Sequence, residues 1–475
     1  MRVALINTNR MKPPIAPIGL EYVAEALASM GHHPEIIDLC WAEDWKVEIA
    51  QFFSRNSFGL IGVTLRNTDD CAFGSRQSFI EEFIEIIRCI RNHSDALIII
   101  GGIGFSIMSE EVISRCPADA GLKGDGEFSF PSLVSSIEKG EDWHNIPGLV
   151  FLFNGNLHHN TPEMHTLNKL PRQSRSWVDN RRYFELGGQG GIETKRGCSQ
   201  HCIYCPEPAA KGKVVRVRPP EDVFFEIKNL HEQGIDHLHT CDSEFNIPEE
   251  HALEICREIS ENELGEKLRW YAYCSPVPFS RELAMEMRRA GCAGINFGID
   301  SGDDRMLRRL KRSFTTEDII RTVQICRETG IVTMLDLLLG APGENEESIR
   351  NTVEFVRRTE AERVGISAGV RVYPGTALSE MIASGTLDKG FFTRTEIKKD
   401  LSEPLFFIEP ALGQGMFELL DRLIGNDERF FFFDPAKPAQ NYNYNANQRL
   451  IDAIAKGYRG AYWDILRRLG SIPQG

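Results

Sequence analysis

Two stretches of this chain alternate short apolar runs with amphipathic helical patterns, and that alternation narrows its possible folds more than any other feature. In the first stretch "RVALINT", "HPEIIDLC", "FGLIGVTL" and "ALIIIGG" read as buried strands, and "ADAGLKGDGE" closes the series. Helical patterns lie between them: "LEYVAEALASMGH" ends at Gly31, and "FIEEFIEIIRCIR" precedes "ALIIIGG". Continuous apolar strands alternating with helices imply a parallel sheet covered on both faces, so a doubly wound, Rossmann-like α/β domain is expected over about 1–140. A connector follows over 141–187, in which "LVFLFNGNLHH" reads as a hairpin turning at Asn154-Gly155. The second stretch repeats the alternation: "GIET", "HLHTCD", "RWYAYC", "GINFGID", "VTMLDLLLG" and "VGISAGVRV" read as six strands with helices between. Six β/α units over 188–380 point to a TIM-like (β/α)6 partial barrel, with chemistry at the C-terminal strand ends. The pattern breaks near Leu378. Residues 381–475 are expected to form a mainly helical cap, with "LIDAIAKGYRGAYWDILRRLG" as a terminal helix. "NYNYNAN" (441–447) reads equally as an Asn-rich turn or as pocket lining.

The totals exclude several classes. A chain of 475 residues, 42% apolar and 26% charged, suits two or three globular domains. With 54 Lys and Arg against 68 Asp and Glu, its net charge of -14 argues against nucleic acid or an anionic membrane as partner. The basic run "MLRRLKR" (306–312) therefore reads as a solvated helix face. The longest apolar stretch, "ALIIIGGIGFSIM", is too short to span a bilayer. Arg2 leads straight into an apolar strand, so a cytoplasmic protein with reduced thiols is expected. Of the twelve cysteines, Cys40, Cys71, Cys89, Cys116, Cys256, Cys292 and Cys326 fall in apolar patterns and read as small buried hydrophobes. Cys241 and Cys274 fall near expected strand ends.

The remaining three stand apart. "RGCSQHCIYCPEP" places Cys198, Cys202 and Cys205 within eight residues, just after the strand "GIET". Thiolates select zinc, copper(I) or iron–sulfur. A structural zinc wants four closed ligands, and His201 is the candidate fourth. A [4Fe–4S] cluster held by only three cysteines leaves one iron open to a chelating ligand.

Cys-x3-Cys-x2-Cys with Tyr204 before the last cysteine resembles the signature of the radical S-adenosylmethionine enzymes. The resemblance continues along the strands. "DSEFN" (242–246) matches the polar groups that family members place for the methionyl amine, which implies Glu244 and Asn246. "FGIDSGDD" resembles the family's Gly-x-Glu-Ser-Gly stretch for ribose and carboxylate, with Asp300 in place of Glu and with Ser301 as the hydroxyl. "LLLGAPGEN" and "RVYPGTAL" resemble the fifth and sixth strand ends, the latter implying a nucleoside contact for Arg371. The resemblance, over roughly 190–380, implies a [4Fe–4S] cluster, S-adenosylmethionine, a 5′-deoxyadenosyl radical, and an electron donor such as flavodoxin or ferredoxin.

The first domain resembles the cobalamin-binding domain that precedes the barrel in one branch of that family. The matching residues are "PPIAPIGLEYVAEAL", "HPEIIDL", "IIIGGIGFS" and "GLKGDGE". The resemblance implies cobalamin contacts at Gly101, Gly102, Gly104, Gly124 and Glu127. The loop "NTNRMKPP" holds no histidine, so cobalamin without a protein histidine on cobalt is implied, with Leu65, Arg66 and Asn67 under the ring. The activity implied is methylation of an unactivated carbon, or phosphorus, of a small molecule or peptide. Two other readings stand beside it: a radical rearrangement or cyclisation that uses cobalamin differently or not at all, and a non-enzymatic zinc or iron–sulfur module.

Overall fold

The computed structural model describes residues 1–387, 391–392, 403–432 and 445–470. Its first sheet runs β1 (Arg2–Asn7), β2 (His33–Asp38), β3 (Leu60–Thr64), β4 (Leu97–Gly101) and β5 (Ala120–Leu122), with spatial order β2-β1-β3-β4-β5 and every pair parallel. Alternation along each strand sends side chains to two cores. Ala4, Ile6, Ile61, Val63, Ile98 and Ile100 pack on one face, and Val3, Leu5, Leu60 and Ile99 on the other. Both faces are buried, which is why these strands read as unbroken apolar runs. The hairpin β6 (Leu149–Phe153) and β7 (Asn156–His159) pairs antiparallel onto β5 and completes a seven-stranded sheet. It is thus the edge of the first sheet and not a free connector.

The chain order reverses between β1 and β3, which opens a crevice at their C-terminal ends. Gly102 closes the turn after β4 with φ +96, and a Cβ there would lie 2.5 Å from the Leu65 carbonyl oxygen. Gly102→Ala is therefore expected to destabilise the fold by at least roughly 1–3 kcal/mol, the usual cost of strained backbone; urea denaturation of the full chain would measure it.

The second sheet comprises β8 (Gly190–Ile192), β9 (His237–Thr240), β10 (Arg269–Cys274), β11 (Cys292–Asp300), β12 (Val332–Leu339) and β13 (Arg363–Ala368), all parallel and in sequence order. A seventh strand, β14 (Phe430–Phe432), pairs parallel with β13. The aromatic run of the C-terminal segment thus extends the barrel sheet, a strand the six-unit reading lacks. The expected single terminal helix is two, Gln448–Ala455 and Tyr462–Gly470, parted by a turn containing Gly457 and Gly460 at positive φ. No described helix is long and apolar enough to cross a membrane.

The two sheets are locked together by buried ion pairs. Glu21 and Tyr22 lie on the helix Ile18–Ser29, and the Tyr22 hydroxyl donates to Glu226 on the helix Pro220–Glu232. Arg175, fully buried, bonds Glu21 Oε2 and Glu226 Oε1 at 2.8 Å each, while Arg218 bonds Glu226 Oε2 at 2.6 Å. Burial alone would penalise each charge heavily, so such groups persist only when mutually paired.

Candidate active site between the two sheets

The three cysteines sit on a loop whose neck is a small antiparallel ladder, Lys195–Arg196 against Arg216–Val217. Gly197 opens the loop at φ +90, where a Cβ would fall 2.2 Å from the Val214 carbonyl oxygen. The Cys198 N–H donates to the Gly212 carbonyl at 3.1 Å, and the Cys205 N–H to the Cys202 carbonyl at 3.3 Å. All three thiols are half-buried and free of disulfides. Among the described residues no three His, Cys, Asp or Glu side chains converge on a single-ion site. All three thiols belong to this one loop, and three cysteine ligands without a fourth fit a cluster that keeps one iron open better than a closed zinc site.

Arg312 is the residue the sequence hides. Read as part of a solvated basic run, it is instead drawn inward: Nη1 lies 2.9 Å from Cys202 Sγ, Nε 3.4 Å from Asp300 and Nη2 4.0 Å from Glu244. Arg308, Arg309 and Lys311 stay exposed. Tyr204 donates its hydroxyl to Asp300 Oδ2 at 2.7 Å. Burial pushes the Glu244 carboxyl up to about 7, against the pull of Arg312. Tyr204, Glu244 and Asp300 thus meet beside the cysteine loop with one guanidinium among them. Arg312→Met would leave two buried carboxyls without their cation, and we expect a loss of about 3–5 kcal/mol, read as a lowered unfolding midpoint.

Three other residues singled out for the nucleoside serve the framework. Asn246 spends its amide inside the protein: Nδ2 donates to the carbonyl oxygens of Ser275, at 2.8 Å, and Pro278, and Oδ1 accepts from the Ser275 N–H at 3.0 Å. Ser301 is buried and engages Thr352 Oγ1 at 3.1 Å and the Asp303 N–H at 3.2 Å. Arg371 bonds Asp69 Oδ2 at 2.8 Å and so ties the sixth barrel strand end to the first domain. Their motifs fall where the resemblance placed them, but their polar atoms are already satisfied.

A cavity of about 770 Å³ lies between the two sheets. Its floor is the crevice of the first sheet. Arg66, Asn67, Gly101, Gly102, Gly124 and Glu127 line it. Leu65 and Gly104 lie beneath, where the Gly104 N–H donates to the Leu65 carbonyl at 3.0 Å, so both build the turn. Bare backbone at Gly101 and Gly102 lets a flat ring approach closely, which fits a corrin. The opposite wall is the barrel: His239, Tyr273, Asn296, Asp336 and Ser367, with Tyr462 and Trp463 at the side. None of these wall residues stands out in sequence, because only barrel closure brings them together. Cys71, expected as a buried hydrophobe, is exposed at this cavity with φ +55, its Sγ 3.0 Å from the Tyr373 hydroxyl. Cys89 is only half-buried, Cys241 is exposed and lines the cavity, and Cys274 is buried. Residues 441–444 of the Asn-rich stretch lie outside the described residues.

Cavity floor and cysteine loop are joined through Arg196. Its guanidinium bonds Glu127 Oε1 at 2.5 Å, Asp125 Oδ1 at 3.2 Å and Glu193 Oε2 at 2.7 Å. Arg216, on the other side of the neck, also bonds Asp125. Burial works against the charged Arg196, but Glu127 and Glu193 more than offset it and hold its pKa well above the ordinary value. Glu127 thus meets the barrel through an ion pair while still lining the cavity.

A doubly wound domain with its crevice turned toward a barrel that carries three cysteines defines a two-part cofactor enzyme. The Radical SAM superfamily model matches residues 192–356, and the B12 binding domain model matches residues 5–134. The tryptophan 2-C-methyltransferase of Streptomyces laurentii is 32% identical, the match covering 80% of this chain and 74% of that protein. The structure of the radical S-adenosylmethionine methyltransferase TsrM from Kitasatospora setae, with tryptophan and a S-adenosylmethionine analogue bound, superposes with a TM-score of 0.90 at 30% identity, covering 99% of each chain. OxsB, a cobalamin-dependent S-adenosylmethionine radical enzyme, shares the fold with a TM-score of 0.73 at 17% identity, covering 86% of this chain and 64% of that one. The chain belongs to the cobalamin-dependent radical S-adenosylmethionine methyltransferases. Its cofactors are a [4Fe–4S] cluster, S-adenosylmethionine and cobalamin.

Proposed function

We propose that this enzyme transfers a methyl group to a ring carbon of tryptophan or a close relative of it. The observation that carries this reading is the shared cavity, bounded on one side by the cobalamin-type crevice and on the other by the barrel wall. A methyl carrier and an acceptor held there would face each other with water excluded. The kinship with tryptophan 2-C-methyltransferases supports the choice of acceptor. Aromatic and polar side chains on the barrel wall suit an amphipathic ring.

When bound, the three cofactors supply an electron, an activated methyl group and a methyl carrier. On this reading Cys198, Cys202 and Cys205 hold the cluster, and the Arg312 guanidinium favours the Cys202 thiolate. Glu244 and Asp300 offer acceptors to the ammonium and hydroxyls of the nucleoside, with Tyr204 fixing Asp300. Gly101, Gly102 and Gly124 would cradle the corrin, and Arg66 and Asn67, which line the same cavity, would help to hold it. The cobalamin-binding unit spans the first sheet, and the barrel and its C-terminal cap make up the rest. A flavodoxin or ferredoxin would supply the electron.

The test uses S-adenosylmethionine labelled at its methyl group, incubated anaerobically with cofactor-loaded enzyme and tryptophan. The label is expected on a ring carbon, with one S-adenosylhomocysteine released per product. Release of 5′-deoxyadenosine with no labelled amino acid would instead favour a radical rearrangement.

A further inference from the structure

His239 sits on β9 in the barrel wall, and its half-buried ring lines the cavity. Its Nδ1 is 2.7 Å from the Thr240 carbonyl oxygen, which can only accept, so Nδ1 must carry the proton. Nε2 is then a bare acceptor. Burial keeps the ring neutral, lowering its pKa to about 4. The Tyr273 ring, centred 4.9 Å away and tilted 51°, fixes the imidazole from the side.

Across the same wall Asn296 donates Nδ2 to Asp336 Oδ2 at 2.6 Å. That bond orients the amide and leaves Asn296 Oδ1 buried without a partner. This wall therefore presents acceptors of two kinds: a neutral one at His239 and a carboxyl–amide pair at Asp336 and Asn296. Of the cations that line the cavity, Arg66 belongs to the first-domain floor, Arg196 is held by Asp125, Glu127 and Glu193, and Lys211 is held by Glu207 at 3.5 Å and by the Cys241 carbonyl at 3.2 Å. A ligand meeting the barrel wall must bring N–H donors, and charge matching divides them. An ammonium belongs at the carboxyl, and a neutral N–H at the imidazole.

We propose that His239 Nε2 accepts the ring N–H of the acceptor amino acid while Asp336 and Asn296 take its ammonium, so that this wall selects an N–H heteroaromatic amino acid. The assignment rests on the tryptophan reading and goes beyond it, because it says which atom is read and by what. A site built to accept a ring N–H discriminates against an isostere that lacks one, since its buried acceptor is left unpaired.

The experiment is equilibrium dialysis on the cluster- and corrin-loaded full chain with two ligands: tryptophan, and its benzothiophene analogue with sulfur in place of the ring N–H. Wild type is expected to bind tryptophan about tenfold more tightly than the analogue, the factor one unmet buried hydrogen bond carries. His239→Leu should weaken tryptophan by the same factor and leave the analogue within about twofold. His239→Gln, which keeps an acceptor, should restore part of the loss. Equal affinity of wild type for both ligands overturns the assignment without any variant, as does a His239→Leu loss shared equally by both. If wild type binds neither ligand, the tryptophan reading itself falls and this assignment with it. Retained iron and corrin in each variant show that it has folded.

Discussion

Replacing Cys202 by Ala should empty the protein of iron and reduce methyl transfer to background. The expected loss exceeds the roughly 10–100-fold that follows removal of an outer-shell partner of a metal ligand, because on the proposed reading a cluster ligand itself is removed. Three cysteines are the fewest that can seat the cluster and leave one iron free, so none is spare. Arg312 sharpens the expectation, since its Nη1 lies 2.9 Å from the Cys202 sulfur and its cation favours the thiolate there. Iron and sulfide analysis of anaerobically reconstituted protein, beside a turnover assay, checks both effects. A Cys202→Ala protein that kept wild-type iron and turned over normally would remove this cysteine from the ligand set. Cys292→Ala is the control: that thiol is buried in the core behind the sheet and is expected to leave the iron content unchanged.

The second large effect is expected at Arg196. This residue joins the cavity floor to the cysteine loop, through Glu127 and Asp125 on one side and Glu193 on the other. Arg196→Met would leave those three carboxyls buried, with Arg216 still on Asp125. Breaking one partner out of a buried ionic cluster costs about 3–5 kcal/mol, far more than an exposed pair. The expected result is a lower unfolding midpoint together with weaker retention of both cluster and corrin, because the loop neck and the crevice share the lost cation. Arg181→Met offers the contrast. Its pair with Glu185 is exposed, and stability should change by no more than about 0.5 kcal/mol. Loss of stability alone, with both cofactors retained at wild-type stoichiometry, would show that Arg196 supports the fold but does not couple the two sites.

Some of this molecule is written locally and some is not. The cysteine loop is legible because its three cysteines fall within eight residues and need no tertiary information. The two sheets are legible because strands buried on both faces leave continuous apolar runs. By contrast Arg312 lies in a run whose other cations do face solvent, and only the fold shows that one of them turns inward to a thiol. His239, Asn296 and Asp336 come from three different strands and meet only when the barrel curls. Phe430–Phe432 is too short and too aromatic to announce a strand, and it becomes one by adding to the open edge at β13. Asn246, Ser301 and Arg371 mark the opposite case. Their motifs stand in the expected places, yet a motif shows position and not which atoms remain free. Asn246 and Ser301 are consumed in holding strand-end loops, and Arg371 in holding the two domains together.

The account turns on cobalamin occupying the chamber between the two sheets and carrying the methyl group across it. One preparation of cluster-loaded enzyme, divided and assayed anaerobically with labelled S-adenosylmethionine and tryptophan, with and without prior loading of hydroxocobalamin, tests that directly. The account predicts that the loaded half keeps its corrin spectrum through desalting and makes labelled product, while the unloaded half makes none. Product formed at the same rate without corrin, or corrin lost entirely on desalting, would contradict it.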